Sequence, residues 1–316
     1  MKKEKKRSRM FLLGCCLFAL LVTHSSFAQK EIHYRNVIVD GVKIFYREAG
    51  DRAKPAILLL HGFPTSSHMY RDLIADLSGS FYLVAPDYPG FGNSDAPSRE
   101  TFKYSFDHLA VIMEHFIDAI KLNKFSLYMQ DYGSPVGFRI AVKRPAAVQA
   151  LILQNGNAYM EGIGPAFADI PAFWKNRTAA TEKPVRAQLT LEGTKFQYLY
   201  GVGDSSKISP DAYGYDQYFL DRPGNNEIQM DLLYDYQNNV ALYPAWHQYL
   251  KTHQPPVLLP WGKNDPFFTA AGAKAYLQDL PDAEIHLLNG SHFALEEYHT
   301  EIAELIKAFF GKKRIK

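Results

Sequence analysis

Cysteine is nearly absent from this sequence. Of its 316 residues only two are cysteines, the neighbours Cys15 and Cys16. A chain that loses its first residues therefore keeps no disulfide, no thiol nucleophile and no thiolate metal ligand. Such a thiol-free chain suits an oxidising compartment such as a periplasm.

The first residues have the order of a secretory signal. Six basic side chains lie within residues 1–9, residues 11–22 are apolar, and small residues flank Phe27. This order predicts a signal peptide over residues 1–28 and a periplasmic or secreted protein without stable membrane insertion. Residues 12–15 also resemble a bacterial lipobox, but the apolar run continues beyond Cys15, which argues against lipidation. An uncleaved membrane anchor is the other alternative, but the apolar run is short for crossing a bilayer.

A large excess of charge is absent as well. The sequence has 35 Lys and Arg against 33 Asp and Glu, a net charge of +2. Residues 1–28 hold six of the basic residues and one of the acidic ones, so their removal leaves 29 against 32, about −3. The basic character thus belongs to the signal, and we expect no nucleic-acid partner. We find no metal-ligand cluster, phosphate loop or dinucleotide fingerprint, and expect neither a metal nor a cofactor.

Apolar runs alternate with helix-compatible segments through most of the remaining chain. Residues 56–60 and 125–129 are apolar, β-like runs, as buried parallel strands have. Asp40 and Gly41, between two strand-like runs, predict a hairpin. The alternation predicts an α/β fold in which helices flank a mostly parallel sheet. With 47% hydrophobic residues, the chain can fill a large core.

The alternation stops in residues 158–243. This stretch has helical pieces, loops with proline and nine of the 20 tyrosines. One interpretation is an ordinary insertion with aromatic packing, and the other is a lid whose phenols face a site. We therefore predict a core formed by residues 29–157 and 244–316, with a mainly helical cap insertion between them.

A single acidic residue, Asp131, lies where the strand of residues 125–129 turns into a helix-compatible run. A sharp turn of this kind exposes the side chain at its tip, and Gly133 lets the helix pass close to the strand. A carboxylate exposed there can attack a saturated carbon and form an ester. Asp131 could instead cap the helix, and Ser134 is a rival nucleophile, although serine is simply favoured on a first helical turn.

Two further residues complete a catalytic pattern. Asp265 and His292 each follow a predicted strand, and a parallel sheet brings the carboxyl ends of its strands to one edge. Asp131, Asp265 and His292 follow the order nucleophile, acid, histidine. Asp265 could be a turn residue and His292 a surface histidine. The occurrence of all three residues at strand ends, in this order, favours a catalytic site.

On these residues the chain resembles an α/β-hydrolase of the epoxide hydrolase and haloalkane dehalogenase branch. The resemblance covers nearly all of the chain after residue 28. The motifs that carry it are His-Gly-Phe-Pro at residues 61–64, the glycine-rich loop 87–95, Asp-Tyr-Gly at 131–133, the acid loop 262–265 and Gly-Ser-His-Phe at 290–293. The resemblance implies the α/β-hydrolase fold, which hosts many chemistries.

The resemblance also implies a hydrolysis in two steps. Asp131 attacks an electrophilic carbon, and His292, oriented by Asp265, then activates a water that cleaves the resulting ester. Backbone N–H groups of Phe63 and Tyr132 form the oxyanion hole. The ordinary aspartate pKa of about 3.9 predicts an ionised nucleophile near neutral pH.

The leaving group decides between two kinds of hydrolase. In epoxide hydrolases two cap tyrosines donate hydrogen bonds to the departing oxygen, and the resemblance assigns these roles to Tyr236 and to either Tyr198 or Tyr200. Dehalogenases commonly have Trp where this chain has Tyr132, and many have Asn where it has Phe63. We therefore expect an epoxide hydrolase that acts on a small apolar or aromatic electrophile and water. The alternatives are a haloalkane dehalogenase and a non-catalytic binding protein of the same fold.

Overall fold

One eight-stranded sheet organises residues 31–315, the part of the chain that the computed structural model describes. The strands are β1 (Ile32–Val39), β2 (Val42–Ala49), β3 (Ala56–Leu60), β4 (Tyr82–Pro86), β5 (Phe125–Gln130), β6 (Val148–Gln154), β7 (Val257–Gly262) and β8 (Glu284–Leu288). Their spatial order is β1-β2-β4-β3-β5-β6-β7-β8. The β1–β2 and β2–β4 pairs are antiparallel and the others are parallel. The predicted α/β architecture with a mostly parallel sheet is confirmed.

Helices flank this sheet and also form the insertion between β6 and β7. In chain order they are α1 (Arg71–Leu77), α2 (Phe106–Ala119), α3 (Gly133–Lys143), α4 (Ile170–Lys175), α5 (Ala179–Arg186), α6 (Leu191–Leu199), α7 (Pro210–Leu220), α8 (Asn225–Asp235), α9 (Gln237–His253), α10 (Ala270–Ala275) and α11 (Ala294–Lys313). Helices α4 to α9 make up the insertion, which we call the cap. The last of them, α9, accommodates Pro244 in its interior and runs past the predicted boundary at residue 243 to His253.

Both faces of the sheet are buried, which explains the continuous apolar run of β3. Ile57 and Leu59 belong to one hydrophobic cluster, together with side chains of α1 and α11. Leu58 and Leu60 point to the opposite face and join a second cluster with side chains of α2 and α3. Because successive residues of a strand alternate between faces, a strand covered on both sides needs apolar residues throughout.

The cap is hydrogen-bonded to the core near the start of α2. The carboxylate of Asp235, at the end of α8, accepts a hydrogen bond from the backbone N–H of Phe106 at 2.8 Å. The guanidinium of Arg99, in the loop before α2, donates two hydrogen bonds to the carboxylate of Asp231 of α8, at 2.6 and 2.7 Å. These contacts fix one end of the cap on the core.

Buried side chains tie together the loops at the carboxyl ends of β3 and β4. Asp87 accepts hydrogen bonds from the backbone N–H groups of Ser67 and Asn93 at 2.7 and 2.8 Å. His61 accepts from the N–H of Tyr88 at 3.2 Å. Burial lowers the pKa of His61 to about 3, so its ring stays neutral and can accept this bond. The loop that follows His61 is thereby held in place.

The predicted signal peptide, residues 1–28, lies outside the described residues. Within residues 31–315 no helix combines the length and the apolar character that crossing a membrane requires.

Candidate active site

The nucleophile position is a strained turn between β5 and α3. Asp131 has a φ of 49°, in the left-handed region that few residues other than glycine, asparagine and aspartate adopt. Helix α3 begins at Gly133. A β-carbon on Gly133 would lie 2.0 Å from the carbonyl oxygen of Leu60, so only glycine lets the helix start this close to β3.

Two backbone N–H groups hold the Asp131 carboxylate. The N–H of Phe63 donates to Oδ1 at 2.7 Å, and the N–H of Tyr132 donates to the same carboxylate. Gly62 makes this approach possible, because a β-carbon there would lie 2.3 Å from the Cβ of Asp131. The structure thus brings together the two donors that the resemblance assigned to the oxyanion hole.

His292 directs its two ring nitrogens at two carboxylates. Its Nδ1 lies 2.9 Å from Oδ2 of Asp265, and its Nε2 lies 4.0 Å from Oδ2 of Asp131. The other oxygen of Asp265 accepts from the backbone N–H of Phe267 at 2.7 Å. Since the Asp265 side chain faces Nδ1 as the hydrogen-bond acceptor, Nδ1 is the nitrogen that donates and Nε2 is the nitrogen left to act as a base.

The environment of the site changes the pKa values of Asp131 and His292. Burial raises the pKa of Asp131 from 3.8 to about 6, although His292 and the N–H groups of Phe63 and Tyr132 oppose the change. Burial lowers the pKa of His292, but the neighbouring Asp265 and Asp131 outweigh it, so the pKa is raised above its ordinary value. Asp131 is thus a weaker acid than the expected pKa of about 3.9 implied.

Asn155 and Gln130 were not among the predicted site residues. Asn155, at the end of β6, donates to Oδ2 of Asp265 at 2.8 Å and exchanges two hydrogen bonds with the backbone of Gly262. The amide nitrogen of Gln130 lies 3.2 Å from Nε2 of His292. Only their positions in the sequence could have indicated a role in the site. Asn155 lies at the carboxyl end of a strand, and Gln130 directly precedes the nucleophile.

The structure separates the three predicted cap tyrosines. Tyr236 is buried and lines the same cavity as the nucleophile and the base. The hydroxyl of Tyr198 donates instead to Asp216 at 2.5 Å, and Tyr200 is 51% exposed. The structure therefore places Tyr198 and Tyr200 away from the cavity, against the substrate-binding role predicted for them. From the same helix it is Gln197, about 100° around the axis from Tyr198, that lines the cavity.

The cavity beside the nucleophile is mostly apolar. Its lining residues are Phe63, Asp131, Tyr132, Phe167, Ile170, Trp174, Gln188, Gln197, Leu233, Tyr236, Phe267 and His292. The free space is about 20 Å³, enough for about one water molecule. An organic substrate can therefore enter only when side chains or the cap move.

Ser134 has a different environment from Asp131. It is fully buried in the first turn of α3 and does not line the cavity. Its hydroxyl oxygen has no hydrogen-bond partner among the residues that the structure describes, so no base is positioned to activate it. In the same part of the chain, no cluster of three or more His, Cys, Asp or Glu side chains could hold a metal ion.

The sequence matches known proteins over most of its length. Residues 55–298 match the family described as alpha/beta hydrolase fold. An uncharacterised hydrolase of Saccharomyces cerevisiae is 42% identical over 282 residues, which cover 87% of this chain and 96% of that protein. A haloalkane dehalogenase of Mycolicibacterium paratuberculosis is 30% identical over 84% of this chain and 86% of its own length. Epoxide hydrolase 4 of Mus musculus is 28% identical over 89% of this chain and 79% of its own length.

Proposed function

Because the chain belongs to the α/β-hydrolase fold family, we propose that it hydrolyses its substrate through a covalent ester on Asp131. One observation carries the proposal. In a single buried cavity the carboxylate of Asp131, held by backbone N–H groups, faces Nε2 of His292. Such an arrangement can form an ester and then hydrolyse it. The proposed reaction is the hydrolysis of an epoxide to a diol.

In the first step Asp131 opens the epoxide. The N–H of Phe63 engages Oδ1, so Oδ2 is the oxygen free to attack a ring carbon. The new ester bond forms as the ring C–O bond breaks, and the ring oxygen takes a proton from the hydroxyl of Tyr236. Burial raises the pKa of Tyr236 well above its ordinary value, so this hydroxyl stays protonated until charge develops on the substrate oxygen.

In the second step a water cleaves the ester. His292 takes a proton from the water as it attacks the carbonyl carbon, and the N–H groups of Phe63 and Tyr132 stabilise the oxyanion. The ester C–O bond then breaks, and the leaving oxygen takes that proton from His292. The proton that remains on Asp131 returns through solvent to Tyr236. One water is consumed for each diol.

Tyr236 favours an epoxide, because the ring oxygen needs a proton and a departing halide does not. The second candidate is a haloalkane dehalogenase, and Tyr132 supports it. Tyr132 lines the cavity, and its buried hydroxyl has no hydrogen-bond partner within residues 31–315, so it could donate to a halide. Asp131 would then displace the halide, and ester hydrolysis would release one proton per substrate.

The test is a single turnover in heavy-oxygen water, with enzyme in excess over each of a panel of epoxides and haloalkanes. The proposal predicts that the first diol carries ordinary oxygen, because the new oxygen comes from Asp131, which gains the heavy one. Heavy oxygen in the first product would mean direct attack by water and no ester. Halide release in place of diol formation would assign the dehalogenase. No turnover of any compound would favour a binding protein.

We also propose that the protein is periplasmic or secreted. The support is the order of basic, apolar and small residues in residues 1–28. Fractionation followed by N-terminal sequencing should find an exported protein that begins at Gln29. A cytoplasmic protein that retains the basic residues 2–9 would contradict this.

A further inference from the structure

Gln197 presents a polar group without a partner in the wall of the catalytic cavity. The residue is 2% exposed, and its amide nitrogen is fully buried. This nitrogen donates to no acceptor in the described part of the chain. Most other lining side chains are apolar, among them Ile170, Trp174 and Leu233.

A buried N–H without an acceptor is rare in folded proteins, because nothing compensates the loss of its hydrogen bonds to water. Methionine has nearly the same length and would fill this place without that loss. The amide of Gln197 is therefore poorly explained by packing alone. Its place on α6, in the wall shared with Asp131 and His292, makes a ligand in the cavity the natural acceptor.

We infer that Gln197 determines substrate specificity, its amide N–H donating a hydrogen bond to an acceptor oxygen that the substrate carries beside its reactive group. The inference rests on the proposed function, which makes the ligand of this cavity an electrophile for Asp131. It assigns a substrate class: epoxides with an ether or carbonyl oxygen next to the ring, and an apolar or aromatic remainder for the apolar wall. Aryl glycidyl ethers are of this kind. A hydrocarbon at the same place leaves the N–H unpaired.

Two matched probes test this. Phenyl glycidyl ether is compared with the analogue in which a methylene replaces its ether oxygen, and the diols of both are compared as ligands that do not react. Calorimetry measures diol affinity, and steady-state kinetics measure kcat/KM for the epoxides. For the wild type we expect the oxygen-containing member to be favoured in both measurements. In Gln197→Met we expect that preference to fall about tenfold, the ratio that one neutral hydrogen bond of about 1.4 kcal/mol supplies.

The control is Lys195→Met, on the same helix, where the ammonium pairs only with the exposed Glu192 within residues 31–315. Its preference for the oxygen-containing probes should equal that of the wild type. The melting temperature of Gln197→Met should be equal to or above that of the wild type, because the variant buries no unpaired amide. A lower melting temperature with an unchanged preference would show a structural amide and overturn the inference.

The two measurements keep the inference and the proposed function apart. Diol binding requires no chemistry, so a preference that depends on Gln197 would support the inference even if neither epoxide were turned over. Turnover of both epoxides with a preference that Gln197→Met leaves unchanged would overturn the inference and leave the proposed function intact. An equal loss for both probes would also overturn it, since Gln197 would then act on the epoxide group that they share.

Discussion

Replacement of Asp131 by asparagine should abolish activity and yet stabilise the folded protein at neutral pH. Asparagine keeps the shape of the side chain and tolerates the φ of 49° at this position. Its side-chain oxygen can still accept the hydrogen bond from the N–H of Phe63. The substitution therefore removes little except a buried negative charge.

The size of the effect follows from the pKa of Asp131. In the unfolded chain the carboxyl loses its proton around its usual pKa of 3.8, whereas burial raises the pKa in the folded protein to about 6. Between these values the folded protein holds a proton that the unfolded chain has lost. The stability of the wild type therefore falls as the pH rises, and the loss is complete above about pH 6. At about 1.36 kcal/mol per pKa unit, the loss amounts to about 3 kcal/mol.

Urea unfolding of the wild type and of Asp131→Asn, at several pH values between about 4 and 8, measures this directly. The two proteins should be equally stable near pH 4, and the variant should be about 3 kcal/mol more stable at pH 7. Asp282→Asn replaces an exposed carboxylate and should show no such dependence. A difference that stays constant with pH, or a variant less stable than the wild type at pH 7, would refute the reasoning.

Three further substitutions test other parts of the site. Tyr236→Phe should slow epoxide opening by about a hundredfold or more, as loss of a general acid does, and leave the displacement of a halide nearly unchanged. Stopped-flow measurement of the alkylation rate tests this, and an equal loss of rate with epoxides and haloalkanes would contradict the role of Tyr236. Asn155→Ala removes the side-chain acceptor of the Gly262 N–H, one of the two donors to the Gly262 carbonyl oxygen and a donor to Asp265. It should therefore destabilise the protein by about 3 kcal/mol in urea and slow ester hydrolysis more than ester formation. Gly133→Ala places a methyl group against the carbonyl oxygen of Leu60 and should reduce soluble yield sharply, whereas Gly214→Ala, with open space around it, should not.

The sheet and the three polar residues at its edge could be predicted because their signals are local. The apolar run of β3 follows from burial on both faces, which any strand covered by helices requires. Asp131 directly follows β5, and Asp265 and His292 lie in the short loops that follow β7 and β8. Because a parallel sheet collects such strand ends at one edge, their proximity followed without any knowledge of distances.

Tyr236 of the cap lines the cavity, but on α6 the sequence could not predict which side chain faces it. On α6, Tyr198 is directed to Asp216, Tyr200 is half exposed and Gln197 faces the cavity. A change of one residue turns a helical side chain by about 100°, so a motif that is similar to a family's segment does not fix which face points inward. The prediction also favoured tyrosines because a phenol can donate a hydrogen bond to the substrate, although the amide of a glutamine can donate one as well.

Asn155 shows a second limit. Its partners, Asp265 and the backbone of Gly262, lie more than a hundred residues away in the sequence. Nothing near Asn155 in the sequence distinguishes a residue that joins two loops from an ordinary residue after a strand. The pKa of Asp131 has the same character, because its rise to about 6 comes from burial by several segments of the chain.

The most direct test of the account is the intact mass of His292→Gln after exposure to epoxides and haloalkanes. Without the base, the second step should stall and the ester should accumulate. The account predicts a mass gain equal to one whole epoxide, which peptide mapping locates on Asp131. If no adduct forms with a compound that the wild type turns over, or if the adduct lies on another residue, then Asp131 is not the nucleophile.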